Sequence, residues 1–252
     1  MKTIVSTSWD DGEYTDLRLA EMLRARGVAA TFYVPITPYQ GRKALSHADL
    51  RNLAAEGFEI GAHTVSHRHL WNLSPEELAA EINPCRPILE DILGTEVRMF
   101  CYPRGRYDSN VIGALKQAGY WGARTVRMLA TGLEFEPFEM PTTLQVSPQP
   151  KLSYLKNMLR GKKVDVLPAC LANFGALGNW VTLGKRMFDS VMKHGGVWHI
   201  YGHSQEIEEL GMWDEVREIL DYVGGHKEVT YVPNGELIRA RAPQTRFAEV
   251  GR

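Results

Sequence analysis

The sequence contains few cysteines, no excess of either charge and no long apolar run. Its three cysteines, Cys85, Cys101 and Cys170, are scattered and form no CxxC pair. This pattern excludes a disulfide framework and favours reduced thiols. The net charge of −1 argues against a broad phosphate-binding surface, so nucleic acid is not an expected partner. No run approaches the roughly 20 apolar residues of a membrane span.

The N-terminal residues have no targeting pattern. Met1-Lys2 leads directly into the β-rich run 3–7, without the apolar stretch of a signal peptide. Together with the reduced thiols, this predicts a cytoplasmic protein. Nothing in the sequence points to a particular oligomeric state.

The sequence does contain short apolar strands that alternate with amphipathic helices. Its 252 residues and 44% apolar content are compatible with one α/β domain over residues 1–252, because α/β barrels commonly reach this length as a single unit. Predicted strands cover 3–7, 28–35, 58–62, 97–102, 120–126, 197–203 and 229–232, and predicted helices cover 14–26, 46–56, 74–94, 109–119, 180–194 and 213–223. Proline and glycine interrupt 130–180, which we interpret as an elaborated loop with one or two short helices. The alternation predicts six to seven mostly parallel strands with outer helices.

Polar clusters follow several of these strands at their carboxyl ends. Asp10 and Asp11 precede Gly12, His63 and His67 stand four residues apart, and further clusters are the loop 103–105 and His203. Adjacent carboxylates disfavour each other's ionisation unless a cation is present. In barrels of alternating strands and helices, the carboxyl end of the sheet carries the active site.

Each motif alone has a simpler explanation. A lone HxxxH is often a surface residue beside a core one, and a lone DDG is often a turn with solvated acids. Together they offer one carboxylate and two imidazoles, a three-ligand face for a divalent ion with positions left open. Thr64 and Ser66 are then expected to hydrogen-bond the imidazoles.

The ordered segments SWDDG, HTVSH, FCYPRG and HS resemble the motifs of the polysaccharide deacetylase family, also called the NodB homology domain or carbohydrate esterase family four. The similarity extends from Thr3 to about Glu206. It implies a distorted (β/α) barrel that removes acetyl groups from N-acetylated sugars by attack of a metal-bound water. The implied cofactor is one divalent ion, zinc or alternatively cobalt or nickel.

The resemblance also implies roles for residues of this chain. By position in the motifs, Asp10 would be the general base and His203 the general acid. The implied metal ligands are Asp11, His63 and His67.

Further implied residues would contact the substrate. Tyr102, Pro103 and Arg104 would form the wall of the sugar site, with the Arg104 N–H facing the oxyanion. Trp198 or Ile200 would line the acetyl pocket.

The sequence departs from the family pattern at two places. Many relatives have an arginine at the position of Cys101. Arg124 is our candidate to orient Asp10 in its place, with a surface salt bridge as the alternative and Arg98, Arg104 and Arg106 as further candidates. The aspartate-tryptophan motif before the last histidine has no clear counterpart.

Two other residues near these motifs are expected to be structural. His199 shares the face of His203 but is flanked by apolar residues, which favours a core position. Cys101 lies in an apolar strand without a predicted base beside it, which favours packing over nucleophilic chemistry.

The resemblance predicts a metal-dependent deacetylase acting on a carbon–nitrogen bond other than a peptide bond, with an acetylated sugar or glycan as substrate. A small amide, or a sugar linked to a nucleotide or lipid, stays open as the substrate, as does an O-acetyl ester. A catalytically silent glycan-binding module is the alternative from another class. A metal-dependent phosphoesterase ranks last, because many of those enzymes use two metals with more ligands.

Overall fold

The computed structural model describes residues 2–150, 175 and 178–241. Residues 151–174 lie outside this part, so the prediction for 130–180 is only partly addressed and Cys170 is not described. Cys85 and Cys101 carry free thiols. No helix in the described ranges has the length and apolarity needed to cross a membrane.

The chain forms one parallel sheet with helices packed around it. The strands are β1 (Thr3–Asp10), β2 (Ala30–Val34), β3 (Glu59–Ala62), β4 (Met99–Cys101), β5 (Gly122–Arg124), β6 (Leu144–Gln145), β7 (Gly196–Gly202) and β8 (Val229–Tyr231). The sheet order is β5-β4-β3-β2-β1-β7-β6, and β8 pairs with β1. Every strand pair is parallel, which confirms the predicted fold class. The eighth strand in the count is β6, which the sequence reasoning missed.

The helices lie outside the sheet. They are α1 (Asp16–Arg24), α2 (His47–Ala55), α3 (Pro75–Ile82), α4 (Cys85–Leu93), α5 (Ser109–Gln117), α6 (Trp180–His194), α7 (Ser204–Leu210), α8 (Trp213–Val223) and α9 (Asn234–Arg241). Helices α7 and α9 were not predicted. The helix predicted over 74–94 is two helices, separated at Asn83 and Pro84, because Pro84 has no N–H to donate to the carbonyl four residues before it.

Capping residues explain where several helices begin. Ser46 and Asp49 form a capping box at the start of α2, and Ser74 and Glu77 form another at α3. In each box, the serine oxygen accepts the N3 amide while the acid accepts the N-cap amide. These local signals fix the helix starts that the sequence predicts.

Hydrogen bonds close the sheet toward a barrel. Arg124 at the edge strand β5 forms a parallel bridge with Met140. A few residues later, the Thr143 N–H donates to the His199 carbonyl at 2.6 Å, and β6 then pairs with β7. The stretch 140–145 therefore connects β5 to β7.

Strand β1 is buried along its whole length and separates two interiors. Val5 and Trp9 pack in the apolar core between sheet and helices. Residues of the opposite phase lie inside the barrel, where the Ser8 hydroxyl hydrogen-bonds His199 Nε2 at 2.9 Å. Asp10, the last residue of β1, lies on the same inner face, so its carboxylate is at the mouth of the barrel.

Candidate active site and metal centre

Three buried side chains from two loops, those that follow β1 and β3, converge at the carboxyl end of the sheet. Asp11 Oδ1 lies 3.5 Å from His63 Nε2 and 3.1 Å from His67 Nε2. One ligand atom from each residue lies within 4.8 Å of the other two. The structure therefore brings together the three residues that the sequence predicts as metal ligands.

The donor set fits a divalent cation. Asp11 Oδ1 is buried and has no hydrogen-bond partner in the described chain. The His63 Nδ1–H donates to the Cys101 carbonyl at 2.8 Å, since a carbonyl can only accept, and this leaves the Nε2 lone pair facing Asp11. Asp11 and His67 also have left-handed backbones, with φ of 80° and 58°. Such conformations cost about 1–3 kcal/mol each and cluster at functional sites.

The protonation states suit metal binding. Burial lowers the pKa of His63 to about 4, so its imidazole is neutral at pH 7. Burial would raise the pKa of Asp11, but the adjacent His67 imidazole, followed by the charges of His63 and His203, outweighs it and lowers that pKa to about 2. A neutral imidazole and an ionised carboxylate are the forms that ligate a metal.

The expectation that Thr64 and Ser66 fix the imidazoles is wrong. The Ser66 hydroxyl donates to Glu81 at 2.5 Å, and Thr64 Oγ1 has no hydrogen-bond partner among the described residues. The main-chain carbonyl of Cys101 orients His63 instead. Because this acceptor is a main-chain carbonyl of another strand, the residue types of the motif do not reveal it.

Asp10 forms a buried ion pair with Arg124. The guanidinium Nη2 donates to Asp10 Oδ1, and Arg124 is 0% exposed, which rules out the surface salt bridge that was the alternative. Cys101 on β4 is the register partner of Arg124 on β5. The cation missing at position 101 is therefore supplied by the adjacent residue of the next strand.

The electrostatics of this pair favour an ionised Asp10. Burial would raise the pKa of Asp10, but the charge of Arg124, followed by His63 and His203, outweighs it and lowers that pKa. The Arg124 guanidinium lies over the Tyr201 ring, 4.4 Å from its centroid. The buried cation thus holds the carboxylate both charged and fixed in place.

His203 lies beside Asp10 at the mouth of the barrel. Its Nε2 is 3.9 Å from Asp10 Oδ2, and its Nδ1 is 3.5 Å from Glu206 Oε2. Burial would lower the pKa of His203, but the Glu206 hydrogen bond and the charges of Asp10 and Asp11 raise it to about 9. The sequence reasoning missed Glu206, although its position one helical turn after His203 was a usable signal.

These groups open into a cleft of about 610 Å³. Besides the residues already placed, its walls include six further polar side chains: Tyr39, Arg42, Arg104, Gln145, Gln149 and Glu209. Among the five predicted substrate-binding residues, Arg104 lines this cleft. Tyr102 is buried, donates its hydroxyl to the Phe138 carbonyl at 3.0 Å, and is not in the cleft wall; Pro103 is also buried outside it.

The predicted positions of Trp198 and Ile200 in the acetyl pocket are wrong. Both are 0% exposed and belong to the core between sheet and helices, where Trp198 Nε1 donates to the Gly184 carbonyl at 2.9 Å. Successive strand residues face opposite sides. The cleft side of β7 is therefore occupied by Tyr201.

The two residues expected to be structural are buried. His199 is 1% exposed, and burial together with the charge of Arg124 lowers its pKa to about 3. Cys101 Sγ lies 3.7 Å from Asp10 Oδ2. Burial raises the pKa of this thiol well above its usual value, which keeps it protonated and unreactive.

Comparisons with known proteins agree with this geometry. Residues 1–123 match the family model described as "Polysaccharide deacetylase". The chain is 30% identical over 125 residues to the peptidoglycan-N-acetylglucosamine deacetylase of Bacillus cereus, covering 46% of this chain and 54% of that one. Across the curated relatives, the matches span between 24% and 57% of the relative's own length.

Solved structures share the fold over nearly the whole chain. A family 4 acetyl xylan esterase from Clostridium thermocellum in complex with a cobalt ion has a TM-score of 0.55 at 16% identity, covering 94% of this chain and 91% of that one. A CE4 family pseudoenzyme from Bacillus anthracis also has a TM-score of 0.55 at 16% identity, covering 94% and 66%. Residues 1–123 thus match the polysaccharide deacetylase family, and nearly the whole chain shares the fold of these solved family 4 structures.

Proposed function

We propose that the protein is a metal-dependent hydrolase that removes the acetyl group from the nitrogen of an acetylated amino sugar. One observation carries the proposal: a three-ligand metal group, a buried carboxylate–guanidinium pair and a histidine flanked by two carboxylates share one cleft. A binding module has no need for an acid and a base beside a metal group. All of these residues belong to one barrel, which supports a single catalytic domain.

The metal would be held by Asp11, His63 and His67. When bound there, a divalent ion such as zinc, cobalt or nickel supplies Lewis acidity and lowers the pKa of water to roughly 7–9. Asp10 then removes a proton from the attacking water, because Arg124 keeps its carboxylate ionised. General-base catalysis of this kind contributes typically about 10²–10⁴-fold.

The chain also supplies a donor for the charge that develops on the acetyl oxygen. In the turn 103–105, proline has no N–H, and the N–H groups of Gly105 and Arg106 donate to the carbonyls of Tyr102 and Pro103. The hydrogen bonds of this turn do not use the Arg104 N–H. A donor aimed at such an oxygen is worth about 3–4 kcal/mol of transition-state stabilisation.

His203 completes the reaction by donating a proton to the departing nitrogen. An amine is a poor leaving group unless it is protonated. A pKa of about 9 keeps His203 in the imidazolium form at neutral pH, with Glu206 and Asp10 stabilising the charge. The products are acetate and the amino sugar.

Similarity supports an N-acetyl sugar as substrate, because the Bacillus cereus relative is named for N-acetylglucosamine. An O-acetyl ester is the second candidate, since the cobalt-containing structure with the same fold is an acetyl xylan esterase. A silent binding module is the third, since a pseudoenzyme shares the fold. The pairing of Arg124 with Asp10 favours a catalytic domain over an inactive binding module.

Acetate release tests the proposal. Zinc-loaded protein is incubated with N-acetylglucosamine, its short oligomers and O-acetylated xylan. Asp10→Asn should reduce the rate on the preferred substrate by about 10²–10⁴-fold, while the exposed control Asp91→Asn should keep the wild-type rate. Full activity of Asp10→Asn would show that the base is assigned incorrectly, and the absence of acetate from every substrate would leave the binding module.

A further inference from the structure

A second pocket adjoins the catalytic cleft, and its lining is cationic. The pocket has a volume of about 280 Å³ and is lined by Trp71, Tyr107 and the three arginines 104, 106 and 127, with no acidic residue. Arg104 and Val126 line both the pocket and the cleft, so the two spaces are adjacent. A ligand in the cleft can therefore extend into the pocket.

The charge changes sharply between the two spaces. Four carboxylates line the cleft: Asp10, Asp11, Glu206 and Glu209. The adjoining pocket has three guanidinium groups and no carboxylate in its lining. This local excess of positive charge is present in a protein whose net charge is −1, and it favours a negatively charged group at that end of the site.

These three arginines form no ion pair with a carboxylate of the described residues. In the ranges that the structure describes, no carboxylate lies within 4.0 Å of Arg104, Arg106 or Arg127, whereas other arginines such as Arg18 and Arg86 have ion pairs. Arg127 Nη2 donates to the Glu139 carbonyl at 2.7 Å. Its Nε is buried without a hydrogen-bond partner. A buried donor without a hydrogen bond costs free energy. This points to a ligand as the partner of Arg127 Nε.

The loops that carry these arginines are held in fixed positions. They follow β4 and β5, which are neighbouring strands in register. Arg104 has φ of 52° and Gly105 has φ of 64°, and a Cβ at Gly105 would collide with Val126 of the adjacent loop. Close contact between the two loops, with a left-handed non-glycine residue at the junction, is typical of a site where backbone strain has a function.

We propose that this pocket is an anionic subsite that binds a phosphate group carried by the substrate sugar. The inference rests on the proposed function, which places the acetamido group at the metal end of the cleft. Arginine forks match the oxygens of phosphate in bidentate geometry, and a dianion compensates several cations better than one carboxylate does. Trp71 is 52% exposed and offers an apolar face against which the sugar or its linkage can pack.

Binding to zinc-loaded Asp10→Asn protein tests this subsite without turnover. The probes are N-acetylglucosamine, its 1-phosphate, its 6-phosphate, and N-acetylmuramic acid as a carboxylate, each titrated at low and high salt. At least one phosphate should bind about tenfold or more tightly than the neutral sugar. That ratio should shrink in high salt, because screening weakens exposed charge pairs.

Arginine variants locate the effect. Arg106→Gln, at an exposed position, and Arg127→Gln should each reduce the phosphate-to-neutral affinity ratio by about tenfold. Arg98→Gln should leave the ratio unchanged, because Arg98 pairs with Glu96 at the surface. If a phosphate instead bound only to the metal, its affinity would not depend on Arg106.

Two results would overturn the subsite: a ratio near one for both phosphates, or a ratio that Arg106→Gln and Arg127→Gln leave intact. Tighter binding of N-acetylmuramic acid than of either phosphate would overturn the assignment to phosphate. Arginine-dependent phosphate binding without acetate release in the wild type would uphold the subsite while rejecting the deacetylase. The two proposals therefore fail separately.

Discussion

Removing the guanidinium of Arg124 is expected to be the most damaging single change near the site. Arg124→Gln leaves the Asp10 carboxylate buried, with 5% of its side chain exposed, and without its cation. Loss of one partner of a buried ion pair typically costs about 3–5 kcal/mol, because the other charge stays uncompensated. We expect the free energy of unfolding at pH 7 to fall by this amount.

The loss should depend on pH in a defined direction. In the wild type, the pKa of Asp10 is lowered below its ordinary value of 3.8, so the ionised pair contributes stability above about pH 4 that is lost as pH falls through the folded pKa. In Arg124→Gln, burial acts without the cation and raises that pKa. The stability difference between wild type and variant should therefore be largest at neutral pH and shrink as pH falls through the raised pKa of the variant toward the lowered pKa of the wild type.

Urea denaturation at pH 7 and pH 3.5, on protein stripped of metal by a chelator, measures both effects. Arg98→Gln is the matched control, since an exposed pair contributes only about 0–1 kcal/mol. The double variant Asp10→Asn/Arg124→Gln should recover much of the loss, because no buried charge is left. A cost for Arg124→Gln equal to that of Arg98→Gln, or a cost independent of pH, would refute the reasoning.

Two further predictions concern the metal and the acid. His63→Ala should reduce the zinc retained after dialysis at least about tenfold, since the imidazole is one of three ligands, whereas the exposed His69→Ala should retain zinc like the wild type; elemental analysis decides between these outcomes. Glu206→Gln should lower the pKa of His203 from about 9, because the partner that stabilises the imidazolium loses its charge. Since His203 must be protonated to donate, the alkaline limb of kcat/KM should move to lower pH, and an unmoved limb would assign the acid elsewhere.

The sequence was sufficient to place the metal group because each ligand motif ends a strand. In a parallel sheet, strand carboxyl ends meet at one edge, so Asp11 after β1 and the two histidines after β3 converge without further information. Their backbone strain, by contrast, is invisible in residue types. Neither a left-handed φ at Asp11 nor the carbonyl that orients His63 could be inferred from composition or spacing.

The acetyl-pocket prediction failed because strand β7 is buried on both faces. In the run 197–201, periodicity cannot distinguish inward from outward residues, since a strand buried on both sides shows no alternation. Counting back from His203 by twos gives Tyr201 and His199 as its same-face neighbours. That count places Tyr201 in the cleft and Trp198 in the outer core, as the structure has them.

Position 101 shows how a site can keep its charge when a motif residue changes. Cys101 and Arg124 are partners in adjacent parallel strands, whose backbones lie about 4.7–4.9 Å apart. A long side chain on one strand can therefore reach a carboxylate that its neighbour would otherwise contact, and a small residue at 101 leaves the space that the guanidinium needs. A comparison of motifs along the sequence shows only that position 101 has lost a cation. The pairing of strands shows that the cation is instead on the neighbouring strand, at Arg124. Asp10 therefore keeps its compensating charge.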